Sequence, residues 1–302
     1  MPGKRLFNLV DHTVLKERLI HEEVERTTLS FYRYVEISAP DDYRDQLYAI
    51  WEPLGVLGRI YVAREGVNGQ ISVPAARMEE FRRTLAGFSL AHVRLNFAIE
   101  DDGKSFFMLK IKVRDKIVAD GLDDGEIDWN RRGQHVDAAQ FNALTDRPET
   151  VVVDMRNHYE SEVGHFENAV CPDVETFRES LPVVEELLSD KKDAPVVMYC
   201  TGGIRCEKAS AWLKARGFKD VYQLDGGIIE YARQVELEGL PNKFLGKNFV
   251  FDERMGERIG EEVIAHCHQC GAKADTHVNC ANDACHILFI QCVACRDKYR
   301  GC

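Results

Sequence analysis

The chain has 302 residues, 45% hydrophobic and 29% charged, which excludes wholesale disorder and predicts two domains or three small ones. Its net charge of -11 argues at first against a polyanion partner, yet residues 1–120 and 241–302 are each neutral and the whole excess sits in residues 121–240, so basic surface stays available at both ends. No apolar run approaches the ~18 residues of a membrane span, and Met1-Pro-Gly-Lys-Arg-Leu-Phe-Asn lacks the apolar stretch of a signal peptide. The expectation is a cytoplasmic protein with no membrane partner, in which the ten cysteines are ligands or nucleophiles rather than disulfides.

Residues 1–120 read as a small α+β domain. Thr27–Ile37 is β-branched and aromatic and predicts a strand. Asp41–Leu54 carries Leu47, Ile50 and Leu54 at helical spacing behind an Asp cap. Arg59–Ala63 and Gln70–Val73 predict two strands joined by a turn at Glu65-Gly-Val-Asn-Gly69. Ala75–Leu85 is amphipathic through Met78, Phe81 and Leu85. Val93–Ile99 and Phe106–Val113 complete a β-α-β-β-α-β order, that of a ferredoxin-like fold.

Residues 121–240 alternate differently. Val151–Asp154 and Val196–Tyr199 are continuous apolar runs, suited to strands buried on both faces of a parallel sheet. Val221–Leu224 supplies another strand. Helices are expected at Asp137–Leu144, Thr176–Leu188 and from Cys206 or Glu207 to Arg216. This is an α/β domain. Residues 241–302 form a tail holding seven of the ten cysteines. A segment so short and so thinly apolar needs metal to hold its shape.

The chemistry concentrates in one loop. Cys200 ends a strand and opens Cys200-Thr201-Gly202-Gly203-Ile204-Arg205, and a helix begins next. Strand end, glycine loop and helix start make a concavity of backbone N–H groups that favours an anion. Arg205 adds charge, and the glycines let the chain curl. A thiolate at Cys200 is therefore expected to be nucleophilic at neutral pH. Cys206 lies six residues on and is either a buried thiol or a resolving thiol for an oxidised Cys200.

The same residues resemble a known family. The loop resembles the C-x-x-G-x-R active loop of rhodanese domains. Asp154-Met-Arg156, followed by Glu160, Gly164, His165 and Ala169, resembles the rhodanese D-x-R…E…G-H…A signature. Leu224-Asp-Gly-Gly-Ile228 resembles the closing L-x-G-G motif. The resemblance implies Cys200 and Arg205 as catalytic residues. It makes Thr201, Gly202, Gly203 and Ile204 the loop around them, and gives Asp154 and Arg156 a supporting role. The C-x4-R length is that of rhodaneses, sized for a sulfane sulfur, and disfavours the activity of related phosphatases, whose loops are one residue longer. His158 and His165, near the signature, are read as structural, and Cys171 as core.

Arg64–Gly69, Met198–Ala211, Asn248–Ile259 and the Cys-rich tail together are similar to the rhodanese-type tRNA uridine hydroxylases. That resemblance implies an oxygen-dependent enzyme making 5-hydroxyuridine at the wobble position, with dioxygen as co-substrate and tRNA as partner. Cys200 would then act by adding to C6 of the pyrimidine, or as a persulfide or oxidised sulfur. No haem, flavin or other organic cofactor motif is evident. The alternative is a sulfurtransferase passing persulfide from Cys200 to tRNA, a protein or a small thiol, and a non-catalytic scaffold is disfavoured by the intact Cys200 and Arg205.

In the tail, Cys267-His-Gln-Cys270 and Cys292-Val-Ala-Cys295 are two C-x2-C knuckles that suit structural zinc. Cys280 and Cys285, with His277, His286 or Cys302, are candidates for a second site. For RNA contact the candidates are Arg77, Arg82 and Arg83 on the second helix, the period-2 series Lys110, Lys112, Arg114 and Lys116 on one strand face, and Arg131 and Arg132. A solvated sheet face explains the period-2 series equally well. Phe31, Tyr32 and Tyr34 are read as core or strand pairing rather than stacking surfaces.

Overall fold

A computed structural model describes residues 10–123, 125–282 and 284–302. The N-terminal octapeptide read above for a leader lies outside them. The chain divides into two compact units, one built on residues up to Ala119 with Asp252–Arg254, the other on Asp120–Phe251 with Met255–Cys302.

The first unit runs α1 (His12–His21), β1 (Arg26–Tyr34), α2 (Pro40–Trp51), β2 (Leu57–Ala63), β3 (Gly66–Pro74), α3 (Met78–Leu85), β4 (Asn96–Phe97) and β5 (Leu109–Val113). The strand order is β4-β1-β3-β2-β5. The pairs β4–β1, β1–β3 and β3–β2 are antiparallel, and β5 joins parallel to β2. The expected β-α-β-β-α-β order is therefore present, with α1 added in front and with β4 and β5 lying inside the expected Val93–Ile99 and Phe106–Val113. One face of the sheet is covered by the helices. Trp51 of α2 sits at its centre, 6.0 Å from the Phe31 ring and 5.2 Å from Phe81 of α3.

Several details differ from the sequence reading. Helix α2 starts behind Ala39 with no side-chain cap, and Asp41 and Asp42 lie inside its first turn instead of capping it. The hairpin turn is only Arg64–Glu65, and Gly66-Val-Asn-Gly69 belongs to β3. Glycine is required there: Gly66 has φ 147, and a Cβ would lie 2.0 Å from the Arg33 carbonyl oxygen. Ile50 points to solvent, and α2 buries Leu47, Tyr48 and Trp51 instead. Helix α1 escaped notice because its apolar residues make no stripe, and only Leu19 is buried.

The second unit contains β6 (Gln134–Val136), α4 (Ala138–Thr145), β7 (Val151–Asp154), α5 (His158–Ser161), β8 (Gly164–Phe166), α6 (Phe177–Leu187), β9 (Val196–Tyr199), α7 (Ile204–Ala215), β10 (Val221–Leu224), α8 (Gly227–Glu238), β11 (Phe244–Asn248), β12 (Glu257–Arg258), β13 (His277–Asn279), β14 (Leu288–Ile290) and α9 (Val293–Tyr299). A parallel sheet in the order β6-β10-β9-β7 forms its centre. Every residue of β9 is buried, as an apolar run between two helical layers requires. Asp137 and Thr176 start α4 and α6 through capping boxes with Gln140 and Glu179. The sheet β12-β11-β8 and the hairpin β13–β14 carry the chain into the tail. Val163, Phe249, Ala265 and Ile290 form a small core there.

Helix α7 begins at Ile204, two residues earlier than expected, because Gly203 at φ 98 turns the chain directly into it. Residues Arg205 to Leu213 are all buried. Its charges are paired: Glu207 accepts from Arg132 Nη1 at 2.9 Å and lies 2.9 Å from His135 Nε2, and Lys208 pairs with Asp120 in full burial.

Candidate active site and metal centre

Cys200 follows the last residue of β9 and is fully buried. The N–H of Gly203 donates to its Sγ at 3.1 Å. Burial pushes the thiol up, but the Cys206 S–H, the Arg205 charge and the N–H groups of Arg205 and Cys206 outweigh burial and bring its pKa down to about 5. Cys206 pays the opposite way: burial and the neighbouring Cys200 hold its proton on, well above the ordinary range. The pair is thus one thiolate accepting from one thiol. The carbonyl side of the loop is fixed separately. Ile228 N–H donates to the Cys200 carbonyl at 3.0 Å and Ile229 N–H to the Thr201 carbonyl at 3.2 Å. A Cβ on Gly227 would lie 2.4 Å from the Cys200 oxygen. The closing Leu-x-Gly-Gly motif therefore clamps the loop so that its N–H groups turn toward sulfur.

Arg205 is held from behind. Glu160, fully buried on α5, accepts from Arg205 Nη1 at 2.6 Å and from Nη2 at 2.9 Å. This bidentate pair orients the guanidinium. Thr201 Oγ1 lies 3.5 Å from the same carboxylate. The sequence placed Glu160 in a motif without giving it a task. Its available signal was the Asn157–Glu160 spacing, which forms the capping box of α5. Asp154 and Arg156 form a second buried pair, with Arg156 Nη2 donating to Asp154 at 2.7 Å and to the Gly164 carbonyl at 2.5 Å. Arg156 also lies over the rings of Tyr199 and Phe244. These contacts tie β7, β8, β9 and β11 together beneath the loop.

The neighbouring residues do less. His165 Nδ1 lies 3.0 Å from the Phe166 carbonyl, and His158 faces Asp173 at 3.5 Å. Cys171 is partly buried, and burial with the Asp154 charge pushes its thiol up to about 12.

In the tail, Cys267, Cys270, Cys292 and Cys295 bring their Sγ atoms within 4.8 Å of one another. Cys270 and Cys292 are 3.6 Å apart. Four thiolates around a zinc ion at ~2.3 Å would stand ~3.8 Å apart, so this donor set fits a tetrahedral metal. The first knuckle is a tight turn, closed by Gly271 N–H to the Cys267 carbonyl at 2.9 Å. The second is the start of α9, with Cys292 as its cap. His268, inside the first knuckle, meets Glu162 at 2.8 Å. Cys280 and Cys302 form a separate pair with sulfurs 3.4 Å apart. Cys285 is exposed, and among the described residues it joins no group of three or more ligands. His277 is buried in β13 against the Phe249 ring, and its Nε2 has no hydrogen-bond partner among the described residues.

The basic candidates divide sharply. Arg77 pairs with Glu80 at 2.7 Å, Arg82 with Glu79 at 3.9 Å, and Arg83 donates to the Glu79 carbonyl at 3.3 Å. Arg132 is spent on Glu207. Among the described residues Lys110 and Lys112 make no ion pair. Phe31 is core, whereas Tyr32 and Tyr34 are half-exposed and lie edge to face at 6.0 Å.

Among the described residues no helix is long and apolar enough to cross a membrane. Three family profiles match in succession: a UPF0176 acylphosphatase-like domain over residues 26–117, a rhodanese-like domain over 137–234, and a rhodanase C-terminal region over 245–302. Over 299 residues, 98% of this chain and 85% of the relative, the sequence is 56% identical to the tRNA uridine(34) hydroxylase of Escherichia coli strain SMS-3-5. The same figures hold for the tRNA uridine(34) hydroxylases of E. coli K12 and Shigella flexneri serotype 5b. With that identity along nearly its whole length, the chain belongs to the tRNA uridine(34) hydroxylase family.

Proposed function

We propose that this protein hydroxylates uridine 34 of tRNA at C5, with dioxygen as co-substrate and Cys200 as the essential thiolate. The observation that carries the reading is the Cys200 cradle, a buried sulfur held as its anion by N–H groups, Cys206 and Arg205. A thiolate of this kind can add to C6 of a uracil ring and make C5 nucleophilic; C5 then takes one oxygen atom of dioxygen, the other leaves as water with two protons and two electrons from an external thiol reductant, and loss of the C5 proton expels Cys200 from C6. In this reading Arg205 is the charge that holds the anion, Thr201, Gly202, Gly203 and Ile204 shape the loop, and Asp154, Arg156 and Glu160 position it. Because Cys200 is fully buried, the base reaches it only when residues 201–205 shift.

Residues 1–120 serve tRNA contact, residues 121–240 catalysis and residues 241–302 metal binding. Cys267, Cys270, Cys292 and Cys295 hold zinc, which fixes the fold of the tail rather than taking part in the reaction. A tRNA substrate supports a cytoplasmic location.

The test is nucleoside mass spectrometry of unmodified tRNA incubated with the protein under heavy-isotope dioxygen. The expected product is a labelled 5-hydroxyuridine that falls more than ~10³-fold with Cys200→Ala. An unlabelled product carrying sulfur would instead establish a tRNA sulfurtransferase, for which the C-x4-R loop is equally well sized.

A further inference from the structure

The face of the N-terminal sheet that the helices leave uncovered carries a row of cations unlike Arg77 and Arg82 at α3, whose charges are paired. Leu29, Phe31, Ile60, Val62, Val67, Ile71, Leu109 and Ile111 point into the helix-covered core. Side chains alternate along a strand, so the residues between them emerge on the other side. Strand register sorts these into rows. One row runs Ser30, Gln70, Arg59, Lys110 across β1, β3, β2 and β5, and the next runs Tyr32, Asn68, Tyr61, Lys112. Arg114 continues the series, its N–H donating to the Val62 carbonyl at 2.9 Å and its guanidinium lying 5.7 Å from the Tyr61 ring centre.

Lys110, Lys112 and Arg114 therefore share one face at steps of about 7 Å. None makes an ion pair among the described residues, in contrast to Arg77 and Arg82, which pair with Glu80 and Glu79. Their mutual repulsion falls on the middle member: the charges of Lys110 and Arg114 hold the Lys112 ammonium below its ordinary pKa. An anion on this face relieves that repulsion. Beside the cations stand two partly buried phenol rings, Tyr61 on the neighbouring strand and Tyr32 about 10 Å from it across β3.

We propose that this face is a platform for single-stranded RNA, on which Lys110, Lys112 and Arg114 take phosphates and Tyr61 and Tyr32 stack bases. The proposal rests on the tRNA reading above and names the surface that serves it. A row of free cations alone would fit any polyanion. The combination of cations with flat rings on a sheet face that no helix covers, crossed only near Asn68, whose Nδ2 donates to the Ile117 carbonyl at 3.1 Å, fits unpaired nucleotides, whose bases can leave the helix and stack on aromatic side chains. An anticodon loop offers both.

The experiment uses the full chain with its metal and an unmodified tRNA transcript carrying uridine 34, with binding followed by fluorescence anisotropy across a salt series. Lys110→Ala/Lys112→Ala/Arg114→Ala is expected to weaken binding at least tenfold at ~0.1 M salt. It should also reduce the slope of log affinity against log salt by about 2, the sum of three single-strand phosphate contacts. Tyr61→Ala is expected to weaken binding about tenfold and Tyr61→Phe to restore it, as stacking requires. Alkylation of Cys200 at pH 6 reports that each variant keeps its active loop. Unchanged affinity and salt slope in the triple variant, with hydroxylated product still formed, would overturn the platform and leave the hydroxylase reading intact. A triple variant weakened equally toward tRNA and polyglutamate, with Tyr61→Ala silent, would also overturn it, marking the face as a surface for acidic protein. If the wild-type chain forms no modified nucleoside from tRNA it binds, the hydroxylase reading fails while the platform stands.

Discussion

At Cys200 one sulfur is surrounded by donors that the polypeptide supplies itself: the Gly203, Arg205 and Cys206 N–H groups, the Cys206 thiol and the Arg205 charge. In the tail four sulfurs face one another within 4.8 Å. One thiolate can be satisfied by dipoles and a single cation. As thiolates, four sulfurs in that space would repel one another, and a multivalent cation would offset them. The two cysteine sites thus divide by how their charge is balanced. The active loop is preorganised by its backbone, whereas the four sulfurs of the tail are placed to fit an ion that would balance them.

The strongest way to break this contrast is to remove the ion. A chelator at neutral pH is expected to release one metal per four-sulfur site and to unfold the tail around it, since structural zinc contributes ~10–16 kcal/mol in small zinc-held peptides. Hydrogen exchange should show protection lost over 267–299, while Cys200 keeps alkylating at pH 6. A Cys200 that loses its reactivity with the metal would show that the sites are not independent.

Gly227→Ala attacks the other side. The new methyl meets the Cys200 carbonyl at a backbone φ of +67, and the strain is about 1–3 kcal/mol. Denaturant unfolding should show that loss, together with a slower Cys200 alkylation and an unchanged metal content.

Cys206→Ala sharpens the comparison without strain. Losing a hydrogen bond to a charged group, worth about 1.5–3 kcal/mol, should raise the Cys200 pKa by ~1–2 units. The pH profile of alkylation reads this directly, and Cys206→Ser, which keeps a donor, should restore the low value. The same shift has a stability consequence. Cys200 titrates at about 5 when folded and at ~8.5 when unfolded. Its contribution is therefore full above pH ~8.5 and is lost as pH falls through about 5. Urea midpoints of wild type minus Cys200→Ser should decline over that window.

The smallest effect belongs to His268→Ala. The His268–Glu162 pair lies 2.8 Å apart with side chains 42% and 25% exposed, so its removal should cost less than ~1 kcal/mol and leave metal content unchanged. A larger loss, read by thermal unfolding, would mean that the first knuckle is held to α5 more firmly than its charges explain.

How far the sequence reached follows the same division between local and distant causes. Strands β7 and β9 were legible to the residue because continuous valine-containing runs suit strands buried on both faces of a sheet, and β10 because Val-Tyr-Gln-Leu places a β-branched and an aromatic residue together. Strand β8 was not: Gly164-His-Phe166 is too short and too mixed, and it exists because β11 pairs with it from 80 residues downstream. Cys200 and Arg205 could be read because the whole cradle lies within one loop. The grip of Gly227 on the Cys200 carbonyl and the hold of Glu160 on Arg205 could not, since both depend on elements brought together only by folding. Charge pairing was equally hidden. Arg77 and Lys110 look alike in sequence, and only the neighbours that the fold provides distinguish a neutralised cation from an available one.

The clamp on the loop also sets a timetable. Ile228 and Ile229 hold the Cys200 and Thr201 carbonyls, yet they are made after them, and at ~5–20 residues per second the interval is on the order of seconds. A nascent chain that has passed Cys200 but not α8 lacks the clamp, and its thiol keeps an ordinary pKa of ~8.5 and remains protonated. Nucleophilicity therefore arrives with the completed domain. A truncated or stalled product is chemically quiet, and the cell meets the reactive sulfur only inside the scaffold that directs it.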